Sequence, residues 1–270
     1  MSFSVTGKTA VVTGAANGVG LAIARHFAER GAKVMFADMD EHRLSDEIGD
    51  LKNDESSNVA YFAGDLRQKL TVANLLSATI DRFEKVDILV NASRQMVAAD
   101  PLLDEEDAVS TLLEQNLMTS YRVSQAFAKR MIKQASKSDD ENAPAGSIIN
   151  LSSIAARRTQ PDLLAYSVSS AALDQMTRSM AVALAPHRIR VNAIALGSVM
   201  SASLQGALQG HEEFREEILD CMPLNRIASA TELAEVAQFL AADGSSFMTG
   251  QILTVDGGRT LLDAADVPAH

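Results

Sequence analysis

Two hydroxyls and one missing cation define the chemistry open to this chain. Ser153 ends the run Asn150-Leu151-Ser152-Ser153, and Tyr166 follows shortly after it. A free tyrosine phenol titrates near ~10, so at neutral pH it is a poor base. It becomes an effective one when a nearby cation stabilises the phenolate and a second hydroxyl orients the reacting oxygen. Ser153 and Tyr166 are candidates for that hydroxyl pair. A lysine four residues beyond a helical tyrosine shares its face and reaches the phenolate. Here that position is Ser170, and no lysine follows Lys137. Taken alone, Ser153 reads as a strand-end serine and Tyr166 as a helix-surface aromatic. The elements around them point to a site.

Thr9 to Thr13 is a short apolar, β-prone run, read as a buried strand. Gly14-Ala15-Ala16-Asn17-Gly18-Val19-Gly20 follows at once. Leu21, Ile23, Ala24, Phe27 and Ala28 then recur at helical spacing, and Gly31 marks the stop. In the order strand, glycine loop, helix, the glycines let backbone approach a pyrophosphate, and the helix N-terminus adds N–H donors and positive dipole. Lys33 to Ala37 is a second strand and ends in Asp38. An acid at that distance from the loop accepts the two ribose hydroxyls of NAD and repels the 2'-phosphate of NADP. The loop carries no Arg or Lys, and Arg43 lies a turn into the next helix. NAD is therefore the expected cofactor, with NADP second.

The alternation continues. Val59 to Phe62 is a third strand, with Asp65 and Leu66 placed to flank the adenine. A helix follows through Leu70, Leu75, Leu76, Ile80 and Phe83. Asp87 to Asn91 is a fourth strand, running into Ala92, Ser93 and Arg94. Glu105 to Gln134 reads as two helices, broken or bent before Asn116. Ser136 to Gly146 is a charged surface loop. Ser147 to Leu151 is the fifth strand, a helix from about Asp162 to Ala185 carries Tyr166, and Arg190 to Ala195 is the sixth strand. Residues 198–223 are rich in small and polar types, with a short helix near Glu212 to Leu219. A helix capped by Ser229 or Thr231 runs to Ala242, and Gln251 to Val255 is the seventh strand. Strands alternating with helices give an α/β fold, a Rossmann-like doubly wound parallel sheet of about seven strands, in one domain over residues 1–270.

Composition bounds the rest. Hydrophobic residues make up 47% and charged residues 22% of 270, an ordinary globular balance. A net charge of -11 argues against a nucleic-acid surface, which needs clustered Lys and Arg. No apolar run is long enough to span a bilayer, and Met1 to Lys8 has no basic flank or apolar stretch of a secretory signal. The single cysteine, Cys221, suits a reducing compartment. The expectation is a soluble cytoplasmic protein, with no membrane or nucleic-acid partner and no assigned metal site.

In sum of motifs, the chain resembles the short-chain dehydrogenase/reductase family along nearly its whole length. Thr13, Gly14, Gly18 and Gly20 match the family's T-G-x-x-x-G-x-G loop, with Asn17 and Val19 inside it. Asp65 matches its adenine-contacting acid, and Asn91-Ala92 the start of N-A-G. Asn116 falls where the family has a helix-bending Asn that holds a proton-relay water. Ser153 and Tyr166 stand at the family's catalytic spacing. Pro223 to Arg226, Thr249 to Gln251 and Val255 to Gly258 match its C-terminal landmarks. The resemblance implies hydride transfer between a nicotinamide and a small-molecule alcohol or carbonyl. It implies a substrate lid over 198–223, and a homo-oligomer, tetramer or dimer, built partly on the helix of Tyr166.

Three positions depart from the pattern. Ser170 replaces the lysine of Y-x-x-x-K. Ser93 replaces the glycine of N-A-G and is expected to crowd backbone near the cofactor. Leu196 replaces the proline before Gly197 and is expected to loosen a turn beside the nicotinamide. Without the lysine, oxidation is expected to be slow at neutral pH and to climb at alkaline pH, unless Arg94 turns inward to supply charge. Two functions follow: an oxidoreductase with a modified relay, or a weak or inactive NAD-binding protein with a sensing or structural role. Retention of Asn116, Ser153 and Tyr166 favours the first. Arg94, Gln95, Arg157 and Arg158 follow strands whose ends face the site, and Met200, Leu204, Leu208 and Phe214 offer apolar lining to the lid.

Overall fold

The computed structural model describes residues 2–49, 57–102, 107–138, 140, 142–209 and 212–263. Its strands are β1 (Thr9–Thr13), β2 (Lys33–Asp38), β3 (Val59–Ala63), β4 (Ile88–Asn91), β5 (Gly146–Ser153), β6 (Ile189–Leu196), β7 (Val199–Met200), β8 (Ala228–Ser229) and β9 (Ile252–Val255). Seven form one sheet in the order β3-β2-β1-β4-β5-β6-β9, every pair parallel. The helices are α1 (Gly18–Glu29), α2 (Glu41–Ile48), α3 (Lys69–Phe83), α4 (Ala108–Leu112), α5 (Thr119–Ala135), α6 (Leu164–Leu184), α7 (Ala202–Leu208), α8 (Glu212–Asp220) and α9 (Ala230–Ala241).

The near-continuous apolar runs seen in the sequence are what a sheet covered on both faces requires. Alternation within them sorts the residues into two cores. Ala10, Val12, Ile88, Val90 and Ile149 meet α1, α2 and α9 through Ile23, Phe27, Leu44 and Leu240. Val11, Leu89 and Ile148 meet α3 and α5 through Leu75, Phe127 and Met131. The chain winds outward from β1 to β3, then returns to place β4 on the other side of β1. That reversal opens a crevice at the C-terminal ends of β1 and β4, the usual ligand site of a doubly wound sheet.

Three expectations change in detail. Between α4 and α5 the chain does not break; residues Leu113–Met118 form a π-helical turn that contains the buried Asn116. Such a bulge is where an inserted residue re-aims side chains. Glu105 lies outside the described residues, as do Asp139 and Glu141 of the charged loop. The 198–223 stretch carries two helices, α7 and α8, where the sequence promised one. Ser201 caps α7 by accepting the Leu204 N–H at 3.3 Å. Of the two caps proposed for α9, Ser229 is the one used, in a reciprocal capping box with Glu232. Arg226 forks onto the same Glu232 and holds its carboxyl down at about 2. Among the described residues no helix is long and apolar enough to cross a membrane.

Candidate active site

A cleft of about 1280 Å³ runs along the C-terminal edge of the sheet. It joins the glycine loop at one end to Ser153 and Tyr166 at the other. At the first end, Gly14 has φ +67°, and a Cβ there would sit 2.7 Å from the backbone of Ala92 and Ser93. A Cβ on Gly20 would sit 2.1 Å from the Gly14 carbonyl oxygen. The loop therefore closes only with glycine at both places. Thr13 Oγ1 accepts the N–H groups of Ala92 (3.1 Å) and Ser93 (3.2 Å), tying the end of β4 to the loop. Asn17, Gly18, Val19 and Gly20 all line the cleft. No side chain caps α1 and no acid occupies its first turn, which leaves an end suited to an anion.

Asp38 stands beside this loop on the cleft wall. Its Oδ2 accepts the Ala16 N–H at 3.1 Å, and its Oδ1 accepts those of Met39 (2.7 Å) and Asp40 (3.1 Å). The carboxylate is thus held in place and keeps acceptor capacity for a ribose hydroxyl. Asp40 caps α2 by accepting the Arg43 N–H at 3.1 Å, and it also pairs with the Arg43 guanidinium at 3.4 Å. Asp65 and Leu66 line the cleft as expected. Asp65 is also forked by Arg67, at 2.9 and 2.8 Å, and that guanidinium holds its carboxyl below the usual carboxylate range. In the sequence Arg67 is legible only as a basic residue two positions after Asp65.

Asn91, which the family resemblance places at the cofactor, has its side chain turned away from the cleft. It is buried behind the cleft wall, with Nδ2 donating to Ser124 Oγ and to Asn150 Oδ1, both at 2.8 Å. Asn150 passes the brace on to Thr177 at 2.8 Å. The Asn91 Oδ1 is buried and has no hydrogen-bond partner among the described residues. Ala92 does line the cleft, as does Gly197.

At the reactive end, Ser153 closes β5 and accepts the Ala155 N–H on its Oγ at 3.1 Å. Tyr166 sits in the first turn of α6, only 4% exposed, packed with Leu112, Ala155 and Ala165. Its hydroxyl has a charged neighbour. Arg94 Nη1 donates to Tyr166 Oη at 2.5 Å and to the Ser152 carbonyl at 3.1 Å, and its Cζ lies 5.6 Å from the ring centroid. Asn116 does not line the cleft. Its Oδ1 accepts the Gln95 N–H at 2.8 Å, while Nδ2 donates to the Gln95 carbonyl at 2.9 Å and to Ser169 Oγ at 3.2 Å.

Ser170 is buried and lies outside the cleft lining. One turn further, Asp174 is buried with its Oδ1 unpartnered. Burial pushes this carboxyl up, against a hydrogen bond from Ser152 and the charges of Arg157 and Arg178. A raised folded-state value means that the ionised form opposes folding, so stability present at acid pH is lost as pH rises from the ordinary carboxylate range through the raised value. Asp174→Asn is accordingly expected to be the more stable protein at neutral pH, by on the order of 1 kcal/mol. The difference should shrink toward ~4, where an unfolded aspartate titrates. Urea unfolding across that range checks it; a gap independent of pH contradicts it.

The other two departures, Ser93 and Leu196, both line the cleft. Ser93 has no positive φ, so its backbone has no need of glycine, and it takes a place on the cleft wall. Leu196 stays in the sheet, paired with Val255, and the Gly197 N–H donates to the Val255 carbonyl at 3.0 Å, so the turn is pinned. Arg94, Gln95 and Arg158 line the cleft; Arg157 does not. Arg259 lines it too, donating to Ser198 Oγ at 3.2 Å; its only signal in the chain is its place after Gly258. Of the apolar lid candidates, Leu204 reaches the cleft. With Leu208 and Phe214 it also lines a neighbouring hollow of about 220 Å³, and Met200 lines neither.

Comparison with known proteins agrees with this geometry. The family model for enoyl-(acyl carrier protein) reductase matches residues 14–260. The 3-oxoacyl-[acyl-carrier-protein] reductase FabG of Chlamydia trachomatis is 32% identical over 263 residues, covering 96% of this chain and 99% of the relative. A 7α-hydroxysteroid dehydrogenase, solved with NADH and 7-oxo glycochenodeoxycholic acid, superposes with a TM-score of 0.85 at 29% identity, covering 95% of this chain and 96% of that one. A gluconate 5-dehydrogenase from Burkholderia cenocepacia J2315, solved with NADP and tartrate, gives 0.86 at 29%, covering 97% and 98%. By family model, sequence and fold alike, the chain belongs to the short-chain dehydrogenase/reductases.

Proposed function

We propose that the protein is an NAD-dependent oxidoreductase acting on an alcohol/carbonyl pair. One observation carries the reading: a glycine loop with an acid beside it and a Ser153/Tyr166 hydroxyl pair open into the same cleft. The residues fit the dinucleotide. Gly14 and Gly20 leave a cradle that a Cβ would fill, the uncapped turn Asn17–Gly20 suits a pyrophosphate, and Asp38 suits a ribose diol. Bound NAD supplies the acceptor for the hydride that leaves the substrate's carbinol carbon. Tyr166 takes the hydroxyl proton of the same alcohol on its Oη, and returns it in the reverse direction. Ser153 orients the substrate oxygen through its Oγ. Helices α7 and α8 act as the lid.

The choice of NAD rests on charge. Asp38 disfavours a 2'-phosphate, and Arg43 and Arg67 are each already paired with an aspartate. Of the two dehydrogenase structures compared above, one holds NADH and the other NADP, so the local residues decide. Calorimetry with the purified protein tests it: NADH is expected to bind at one site per chain and more tightly than NADPH. Equal or tighter NADPH binding overturns the assignment.

A homo-oligomer, tetramer or dimer, belongs to the same proposal. Val168 and Val182 on α6 are large apolar side chains left exposed, the latter at 78%. Beside Val168, the small residues Ala171 and Ala172 are the ones of this stretch not buried in the protomer, and they let a second helix approach closely. Light scattering at micromolar concentration is expected to give a multiple of 28.8 kDa; a monomer refutes it.

A further inference from the structure

We propose that Arg94 is the cation of this active site, stabilising the Tyr166 phenolate from the loop after β4. The proposal rests on the reading of Tyr166 as the acid–base group. Tyr166 is a largely buried residue of the cleft wall, and Arg94 Nη1 donates to its Oη at 2.5 Å. The guanidinium is anchored a second time, by the Ser152 carbonyl at 3.1 Å. Ser152 immediately precedes Ser153, so the anchor belongs to the same strand end as the other hydroxyl. Among the described residues, Arg94 forms no ion pair with a carboxylate.

The placement is built. Asn116 grips the residue after Arg94 from both sides, through the Gln95 N–H and the Gln95 carbonyl. It reaches the turn of Tyr166 through Ser169, whose Oγ donates to the Tyr166 carbonyl at 3.0 Å. One amide in the π-helical turn therefore fixes the distance between the loop of Arg94 and the helix of Tyr166. This makes Asn116 a positioning residue.

A guanidinium hydrogen-bonded to a phenol oxygen favours the charged form of that oxygen. In alcohol oxidation the hydroxyl proton passes to the phenolate oxygen of Tyr166; in carbonyl reduction the phenol returns it and is left as phenolate. Arg94 holds all its own protons throughout, because a guanidinium is not deprotonated in proteins. It stabilises the phenolate and relays nothing. The alkaline profile expected from Ser170 alone then belongs to a protein without Arg94.

Arg94→Gln and Arg94→Lys test this, each checked for fold by circular dichroism. With three tyrosines in the chain, NMR of 13Cζ-labelled tyrosine, assigned with Tyr166→Phe, reads the phenolate directly in cofactor-free protein. In Arg94→Gln the Tyr166 phenolate signal is expected at higher pH than in the parent, and oxidation at neutral pH is expected to fall about tenfold or more. That deficit should narrow as pH rises, and Arg94→Lys should recover part of both. If glutamine disrupts folding, Arg94→Met, which keeps the apolar stem, carries the same comparison. An unchanged phenolate signal and pH profile in the neutral variants overturns the proposal. If Tyr166→Phe is inactive in that case, only the role of Arg94 falls; if Tyr166→Phe is fully active, the reading of Tyr166 falls with it.

Discussion

Replacing Tyr166 by phenylalanine is expected to lower turnover by about three orders of magnitude while leaving NADH binding within a few-fold of the parent. A positioned acid–base group is worth roughly 10²–10⁴ in rate, and here only one atom is removed. The ring remains packed against Leu112, Ala155 and Ala165 in a buried site, so the wall of the cleft is retained. Arg94 loses its phenolic acceptor but keeps the Ser152 carbonyl. The loss should fall on kcat, not on the KM for NAD, because the missing group acts on the substrate oxygen in the transition state. Steady-state kinetics with any substrate that turns over measures this. Turnover near the parent's would move the proton chemistry to another residue.

The second large effect is on cofactor choice. A carboxylate and a phosphate a few ångströms apart at a protein surface repel by a few kcal/mol, about a hundredfold in affinity, and in the parent that repulsion acts against NADPH. Asp38→Ala removes it, and also removes a ribose acceptor and the partner of the Ala16 N–H. NADH should weaken, NADPH should gain, and the preference should collapse toward unity. Adding Met39→Arg, at an exposed position on the cleft wall, should reverse it. Calorimetric titration of both variants with both cofactors reads the ratio. An unchanged ratio in Asp38→Ala would mean that the selectivity comes from elsewhere in the cleft.

The sheet and the cofactor half were legible because their signals are local. A buried parallel strand needs an unbroken apolar run, and a phosphate loop needs glycines between a strand and a helix; both are contiguous in the chain. Asn116 was legible only as a position: its π-helical turn and its grip on Gln95 depend on partners 21 residues away. The direction of the Asn91 side chain was hidden for the same reason, since a strand-end amide reads alike whether it faces the cleft or braces the sheet. The short helix α7 was hidden by Gly206 and by small residues of mixed preference. The main difference lies at Ser170. The sequence marks a missing cation on the helix, but the guanidinium of Arg94, 72 residues before Tyr166, occupies the phenol oxygen. Direction of a loop side chain is set by tertiary packing, here by Asn116 and Ser152, and no periodicity encodes it.

The central claim is that this cleft passes a hydride between a nicotinamide and a carbonyl. It is tested most directly by incubating the parent protein with NADH carrying deuterium at the transferable C4 position and a panel of ketones and aldehydes. Mass spectrometry of the alcohols formed is the readout. The account predicts at least one alcohol bearing a single deuterium on its carbinol carbon, formed by the parent and not by Tyr166→Phe. NADH bound but no deuterium in any alcohol across the panel would contradict it and favour a protein that binds the dinucleotide without turning it over.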